Sequence, residues 1–244
     1  MTRVRLAWLM LVATALVAAT NAGAAGWVPR PGIEVSGAYG TVSRTFEGTD
    51  RDVLDRAYGG GWSAGATAEW RLAPSWTVVS GLRYLETGQS QTFTLASGTG
   101  TIRGDLHDRW RWVAVPMHAR VTPWALPLSL EAGPEVQMLM IAKSHQELGG
   151  EPGLYAGATP PAIRLAPTGD IFEEVGTFGG DRDVTDLYQR VNFVLGGGVS
   201  YAWPARTGRV VAHARCGFGL NDLLKSDALA SRTQTVEAGV GWQW

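Results

Sequence analysis

The chain has 244 residues, with 32 Gly, 11 Trp and only 18% charged residues, below the roughly 25% of ordinary soluble domains. This mixture argues against disorder and against a helical bundle, and the length suits a single domain, because β barrels often reach this size as one unit. With 21 basic against 22 acidic residues there is no basic field to gather nucleic acid, and a lone cysteine, Cys216, without a CxxC or Cys/His cluster, offers neither an internal disulfide nor a zinc site.

In chain order the first element is MTRVRLAWLMLVATALVAATNAGAAG. Arg3 and Arg5 precede an apolar run from Leu6 to Ala19, and small residues follow, the layout of a cleaved secretory signal peptide. Cleavage after Ala22 or Ala24 is expected, which divides the chain into a signal peptide over 1–24 and a mature domain over 25–244. No cysteine follows that could carry a lipid, and the run is shorter than the roughly 20 apolar residues of a membrane-spanning helix.

The mature chain then alternates with period two. The segments are IEVSGAYG, WSAGATAEWRL, WTVVSGLRYL, WVAVPMHARV, PLSLEAGPEVQMLM, YQRVNFVLGGGVSYAW, VVAHARCGFGLN and TQTVEAGVGWQW. In the second, Trp62, Ala64, Ala66, Ala68, Trp70 and Leu72 share one face, and Ser63, Gly65, Thr67, Glu69 and Arg71 share the other. Eight such segments predict eight strands.

Short links at Ala73 to Ser75, Pro123 to Pro127 and Pro204 to Gly208 take turns with long ones. The long links run about Val42 to Gly61, Glu86 to Asp108, Ala142 to Leu187 and Asp222 to Ser231. In an antiparallel meander alternate connections fall at the same end, so one rim is trimmed and the other elaborated.

Period two does not say which face is buried, since a soluble lipocalin-like barrel would alternate equally well with its apolar face inward. The aromatic spacing decides. Trp62 and Trp70 lie eight residues apart on one face, as do Trp76 and Tyr84, about 26 Å along a strand and roughly 20 Å once tilted, near the height of an outer-membrane apolar band. Trp203, Trp242 and Trp244 join the girdle beside the short turns.

The opposite face carries repeated glycines and two sets of charges. Glu34, Glu69, Glu131, Glu135 and Glu237 stand against Arg71, Arg83, Arg120, Arg190 and Arg215. A barrel of eight strands has an interior just wide enough for side chains to fill, so a mutually neutralised lumen network is expected. It includes Arg83, His118, Glu131, Glu135, Arg215 and Glu237, with His118–Glu131 and Arg215–Glu237 as cross-strand neighbours. His213 lies on the same face, and Cys216 has the opposite parity and faces lipid.

The stretch WRWVAVPMHARVTPWALPLSLEAGPEVQML, followed by FVLGGGVSYAW, FGLNDLL and the terminal VEAGVGWQW, resembles the small outer-membrane β-barrel domain family that includes PorT-like proteins. The similarity covers nearly all of the mature chain through diffuse motifs. It implies an eight-stranded barrel in the outer membrane of a Gram-negative-type envelope, in a family most of whose members have no defined activity. Relatives often carry an acidic residue two positions before Pro116, where this chain has Ala114. PorT-like proteins are associated with protein secretion, a role that the resemblance does not transfer.

The expected fold is therefore all-β, an eight-stranded antiparallel up-and-down transmembrane barrel with short periplasmic turns and long extracellular loops. No catalytic, cofactor or metal residue is assigned. The carboxylates Glu173, Glu174, Asp181, Asp183 and Asp186 fit no EF-hand spacing, and His107 with Asp105 and Asp108 forms no recognised catalytic set. The expected function is a non-enzymatic outer-membrane component or scaffold acting through extracellular loops. The alternatives are a narrow pore for small solutes and a lipid A-modifying enzyme. Expected partners are membrane lipid and lipopolysaccharide, the barrel assembly machinery, and an extracellular or periplasmic protein; no cofactor and no nucleic acid are expected. The final aromatic at Trp244 resembles the signal by which that machinery recognises outer-membrane barrels.

Overall fold

The computed structural model describes residues 28–46, 54–97, 100–123, 127–150, 180–225 and 229–244, so the predicted signal peptide, Glu173 and Glu174 lie outside the described residues. The strands are β1 (Arg30–Phe46), β2 (Leu54–Ala73), β3 (Trp76–Ser97), β4 (Gly100–Val121) and β5 (Leu128–Gly150). A short β6 (Gly180–Asp183) and a 3-10 turn (Thr185–Leu187) precede β7 (Val191–Ala205), β8 (Gly208–Gly219) and β9 (Leu229–Gln243). The sheet order is β4-β3-β2-β1-β9-β8-β7-β5, with β6 added beside β5, and a β4–β5 pairing closes the ring. Eight long antiparallel strands thus form a closed barrel. Each has a neighbour on both sides, so no long strand leaves an open edge within the ring.

The closure uses the chain's last residues. Ile33 pairs with Trp242 and Gly32 with Gln243, and the Trp244 amide donates to the Pro31 carbonyl at 3.1 Å. Short turns join β2 to β3 and β7 to β8, as the brief links predict.

The links expected to be long loops differ from expectation. β1 continues to Phe46, and β3 and β4 remain paired out to Ser97↔Gly100, so much of Val42–Gly61 and nearly all of Glu86–Asp108 is strand. The apolar alternation fades at Glu86, yet Thr87, Gln89, Gln91 and Thr92 keep an extended backbone whose groups are satisfied across the ladder. Outside an apolar band, polar outward side chains carry no desolvation cost, so the sequence pattern changes where the strand does not. Bulges interrupt the register between Gly59 and Trp62 and between Arg111 and Trp112, where each re-aims the side chains beyond it.

Outward positions are apolar over a band that includes Ile33, Val35, Met117, Leu130, Val136, Phe193, Leu195, Val199, Val236 and Val240, all exposed. Inward positions at the same heights include Glu34, Glu69, Arg83, Arg120, Glu131, Arg215 and Glu237, all buried. This inverted distribution is that of a barrel standing in lipid. Among the described residues no helix is long and apolar enough to cross a membrane, which says nothing about crossing by strands.

Toward the short turns the interior is ionic; beyond that it is apolar, built from Leu85, Trp110, Trp112 and Leu139, and further out it is polar again with Gln89, Gln91, Asp108 and Ser144 buried. Tyr188, Leu223 and Leu224 cover this cluster from the segments around the 3-10 turn and after β8, with Tyr188 edge-on to Trp110 at 6.0 Å between ring centroids. The lumen is therefore polar on both sides of the aromatic cluster and apolar at its level.

Candidate functional site

The ionic layer arises because each strand contributes inward residues at every second position, and seven of the strands carry a charged residue at this height. From β8, Arg215 donates to Glu34 of β1 at 2.8 Å and to Glu131 of β5 at 2.5 Å. Arg120 of β4 donates to the same Glu131 through Nε at 3.0 Å and Nη2 at 2.9 Å, and its Nη1 reaches Glu69 of β2. Glu69 also accepts from Arg209, whose Nε holds Gln243 at 2.7 Å. The result is one chain of ion pairs running around the lumen.

A second group forms around Arg83 of β3, which bridges Glu135 at 2.5 Å and Glu237 at 2.6 Å. Ser63 adds a hydrogen bond to Glu237 at 2.9 Å, and Gln137 donates to Glu135 at 2.6 Å. Asn192 then links Gln137 and Thr233, each at 2.9 Å, which carries the network up to the apolar layer. Every one of the five lumen glutamates, Glu34, Glu69, Glu131, Glu135 and Glu237, accepts from an arginine.

Glu131, Glu135, Arg83, Arg215 and Glu237 thus share the lumen, but two expected pairings do not form. Arg215 and Glu237 are register neighbours, yet Arg215 turns to Glu34 and Glu131 while Glu237 pairs with Arg83. The reach of an arginine across a narrow barrel lets a far strand compete with the adjacent one. His118 does not pair with Glu131 either, because the register sets Arg120 opposite Glu131. His118 instead lies over Gly196, where a Cβ would come within 3.0 Å of its Nε2, and that nitrogen has no hydrogen-bond partner.

Two expected lumen arginines are elsewhere. Arg71 is exposed at the β2–β3 turn and donates to the Ala73 and Pro74 carbonyls at 3.4 and 3.2 Å, and Arg190 is exposed and meets Asp186 at 3.2 Å. Arg209 joins the layer because β8 begins at Gly208, before the predicted segment VVAHARCGFGLN. His213 hydrogen-bonds Ser36 Oγ at 2.7 Å, and Cys216 is exposed on the outer face. Among the described residues no group of three His, Cys, Asp or Glu could hold a metal ion.

Sequence reasoning also missed Trp110 and Trp112, which point inward and are 1% and 2% exposed. Their signal was parity: they share the even positions of His118 and Arg120 on the same strand. The cavity beside Glu34, Arg120, His213 and Arg215 measures only about 10 Å³, roughly the minimum for one water. Chemically the layer is a plug in which five glutamates are ion-paired to four arginines, with Arg83 Nε and His118 Nε2 left without a hydrogen-bond partner.

On the outer face, Trp62 and Tyr84 stack at 4.9 Å toward the elaborated rim. Trp70, Trp76, Trp203, Trp242 and Trp244 line the rim of the short turns, with Trp76, Trp203 and Trp244 about half exposed. Beyond the Trp62–Tyr84 level the outer face turns charged. Arg111 meets Glu86 at 2.9 Å, Arg109 and Lys143 stand opposite one another, and His107 stands opposite His145. His107 Nδ1 lies 2.9 Å from Ser90 Oγ, while Asp105 accepts from Thr92 at 2.7 Å and Asp108 points inward to Gln89 at 3.1 Å. Asp105, His107 and Asp108 therefore do not converge.

Asp181 belongs to β6. Asp183 accepts from Thr185 through both its hydroxyl and its amide, the latter at 2.9 Å, and these bonds hold its carboxyl below the usual aspartate range.

No family model matches the chain, and no curated protein matches it. Among solved structures it is similar to Ail, the attachment invasion locus protein of Yersinia pestis, in complex with the heparin analogue sucrose octasulfate. That match has 12% identity, covers 88% of this chain and 99% of that one, and gives a TM-score of 0.41. It is also similar to Neisserial surface protein A, at 12% identity, 88% and 97% coverage and a TM-score of 0.35. A third is the outer membrane protein OprG from Pseudomonas aeruginosa, at 7% identity, 88% and 96% coverage and a TM-score of 0.34.

Proposed function

We propose that this chain is a non-enzymatic integral outer-membrane β-barrel, an envelope component or scaffold that acts through the parts of β1 to β5 and the connections standing outside the lipid. The observation that carries this reading is the inverted barrel: an apolar exterior between two aromatic levels, and an interior closed by ion pairs below and aromatic side chains above. A strand crosses the hydrocarbon with about 9–11 residues, whereas β3, β4 and β5 have 22, 22 and 23. Half of each is therefore available for contact outside.

The resemblance to PorT-like small barrels agrees with this reading. The experiment is migration on a detergent gel before and after boiling, with membrane fractionation in parallel. A band that shifts on boiling and follows the outer membrane is expected, and an unshifted band refutes the barrel.

A second reading, hydrolysis of an outer-leaflet lipid, draws on the outward Ser90–His107 pair. The acids beside it in sequence are turned to Thr92 and into the lumen, so no orienting carboxylate comes from them. Mass spectrometry of lipid A with and without the protein tests it. Unchanged lipid A is the expected result.

A further inference from the structure

We propose that the outer face of β4 and β5, just beyond the Trp62–Tyr84 level, binds the phosphate groups of a lipid headgroup in the outer leaflet; this rests on the membrane-barrel reading above. Three observations place the site.

Directly opposite residues on the two strands carry the same sign. Arg109 faces Lys143; like charges in such positions destabilise a sheet unless an anion lies between them. Both Arg109 and Lys143 are exposed, and among the described residues Arg109 has no carboxylate partner. The acids near this face are Glu86, which holds Arg111 at 2.9 Å, Asp181, opposite His145, Asp183, opposite Lys143 with its carboxyl engaged by Thr185, and Asp105, bonded to Thr92.

The surface between these groups is concave. A cavity of about 610 Å³ is bounded by Arg109, Arg111 and Lys143 and floored by Gly59, Gly60 and Gly88. The bulge between Gly59 and Trp62 makes that floor, and a Cβ at Gly60 would meet nothing within 4 Å. Gly60 therefore leaves space where a side chain would otherwise stand, while Gly59 lets β2 lie against the Gly88 backbone.

The height matches a headgroup. The register sets Trp62, Glu86 and Arg111 in one row, and Arg109 is two residues further out, about 7 Å along the strand. Amphipathic aromatics mark the border of the apolar band, so Arg109 and Lys143 fall where lipid phosphates lie. An arginine fork and a lysine point charge are the pairing suited to a phosphate oxygen set.

The test is native mass spectrometry of the full mature barrel in detergent with diphosphoryl lipid A, its dephosphorylated counterpart, or inorganic phosphate. Wild-type protein should retain the diphosphoryl lipid about tenfold better than the dephosphorylated one. Arg109→Gln with Lys143→Gln should remove that preference, whereas Arg109→Lys should keep most of it. Arg71→Gln, at the opposite rim, should leave retention unchanged. Equal retention of both lipids by wild type, or an unchanged preference in the double variant, overturns the proposal. Displacement of the lipid by inorganic phosphate at matched concentration overturns the lipid source. Boiling shifts are read on every sample: a shifted wild-type band without lipid preference sinks only this site, and an unshifted one sinks the barrel reading with it.

Discussion

Arg215 is the residue on which the ionic layer depends most, because among the described residues it is the ion-pair partner of Glu34 and it shares Glu131 with Arg120. Removing one partner of a buried pair leaves an uncompensated charge, at a cost of about 3–5 kcal/mol. Arg215→Met should therefore lower the urea midpoint of the folded barrel, and adding Glu34→Gln and Glu131→Gln should restore part of it. Gly198 stands opposite Arg215, and a Cβ there would come within 2.3 Å of the Ala214 carbonyl oxygen and 2.9 Å of Arg215 Cγ. Gly198→Val should then fail to refold to the heat-shifted form, while Cys216→Ser, on the outer face, should refold normally. Parity alone made the inward position of Arg83, Glu131, Arg215 and Glu237 legible. Their partners were not, since register names the adjacent strand, whereas a guanidinium in a narrow barrel can reach beyond it.

At the scale of elements, β9 closes the ring by pairing with β1 and β8 together. Trp244 ends it with a backbone bond to Pro31 and an outward ring. Deleting Trp244, or making it Asp, should reduce the amount reaching the outer membrane, as measured by immunoblot of membrane fractions; normal levels would count against its role. The β6 segment offers a pH test outside the lipid. Because hydrogen bonds to Thr185 lower the Asp183 carboxyl below its unfolded value, their contribution is present above the ordinary aspartate range. It is lost as pH falls through the lowered folded value. The Thr185 amide resonance should move only below the usual aspartate range, and Asp183→Asn should abolish that titration. The eight strands were legible from period two. Their lengths were not, because the alternation reports contact with the apolar band and falls silent where β3 and β4 continue into water.

For the whole molecule, two closures in series oppose conduction: the ion-paired layer and the aromatic layer of Trp110 and Trp112. Planar-bilayer recordings should show no unitary steps, and steady unitary currents in wild type would defeat the plug. Trp112→Ala should cost about 3–5 kcal/mol through the cavity it leaves, read as a lower urea midpoint, and should still not conduct because the ionic layer remains.

The wall of the barrel is uneven in height. β5 runs on from Leu139 to Gly150 beyond its last pairing with β7, while β8 ends at Gly219. In the plane of a membrane the molecule therefore has a front and a back. Among the described residues, a neighbour arriving on the side of β3, β4 and β5 meets a standing parapet of strand, and one arriving on the side of β7 and β8 meets shorter strands. Lateral encounters are thus oriented before any specific contact is made, so a cross-linker at Lys143 and one at Lys225 should capture different neighbours from the same membrane.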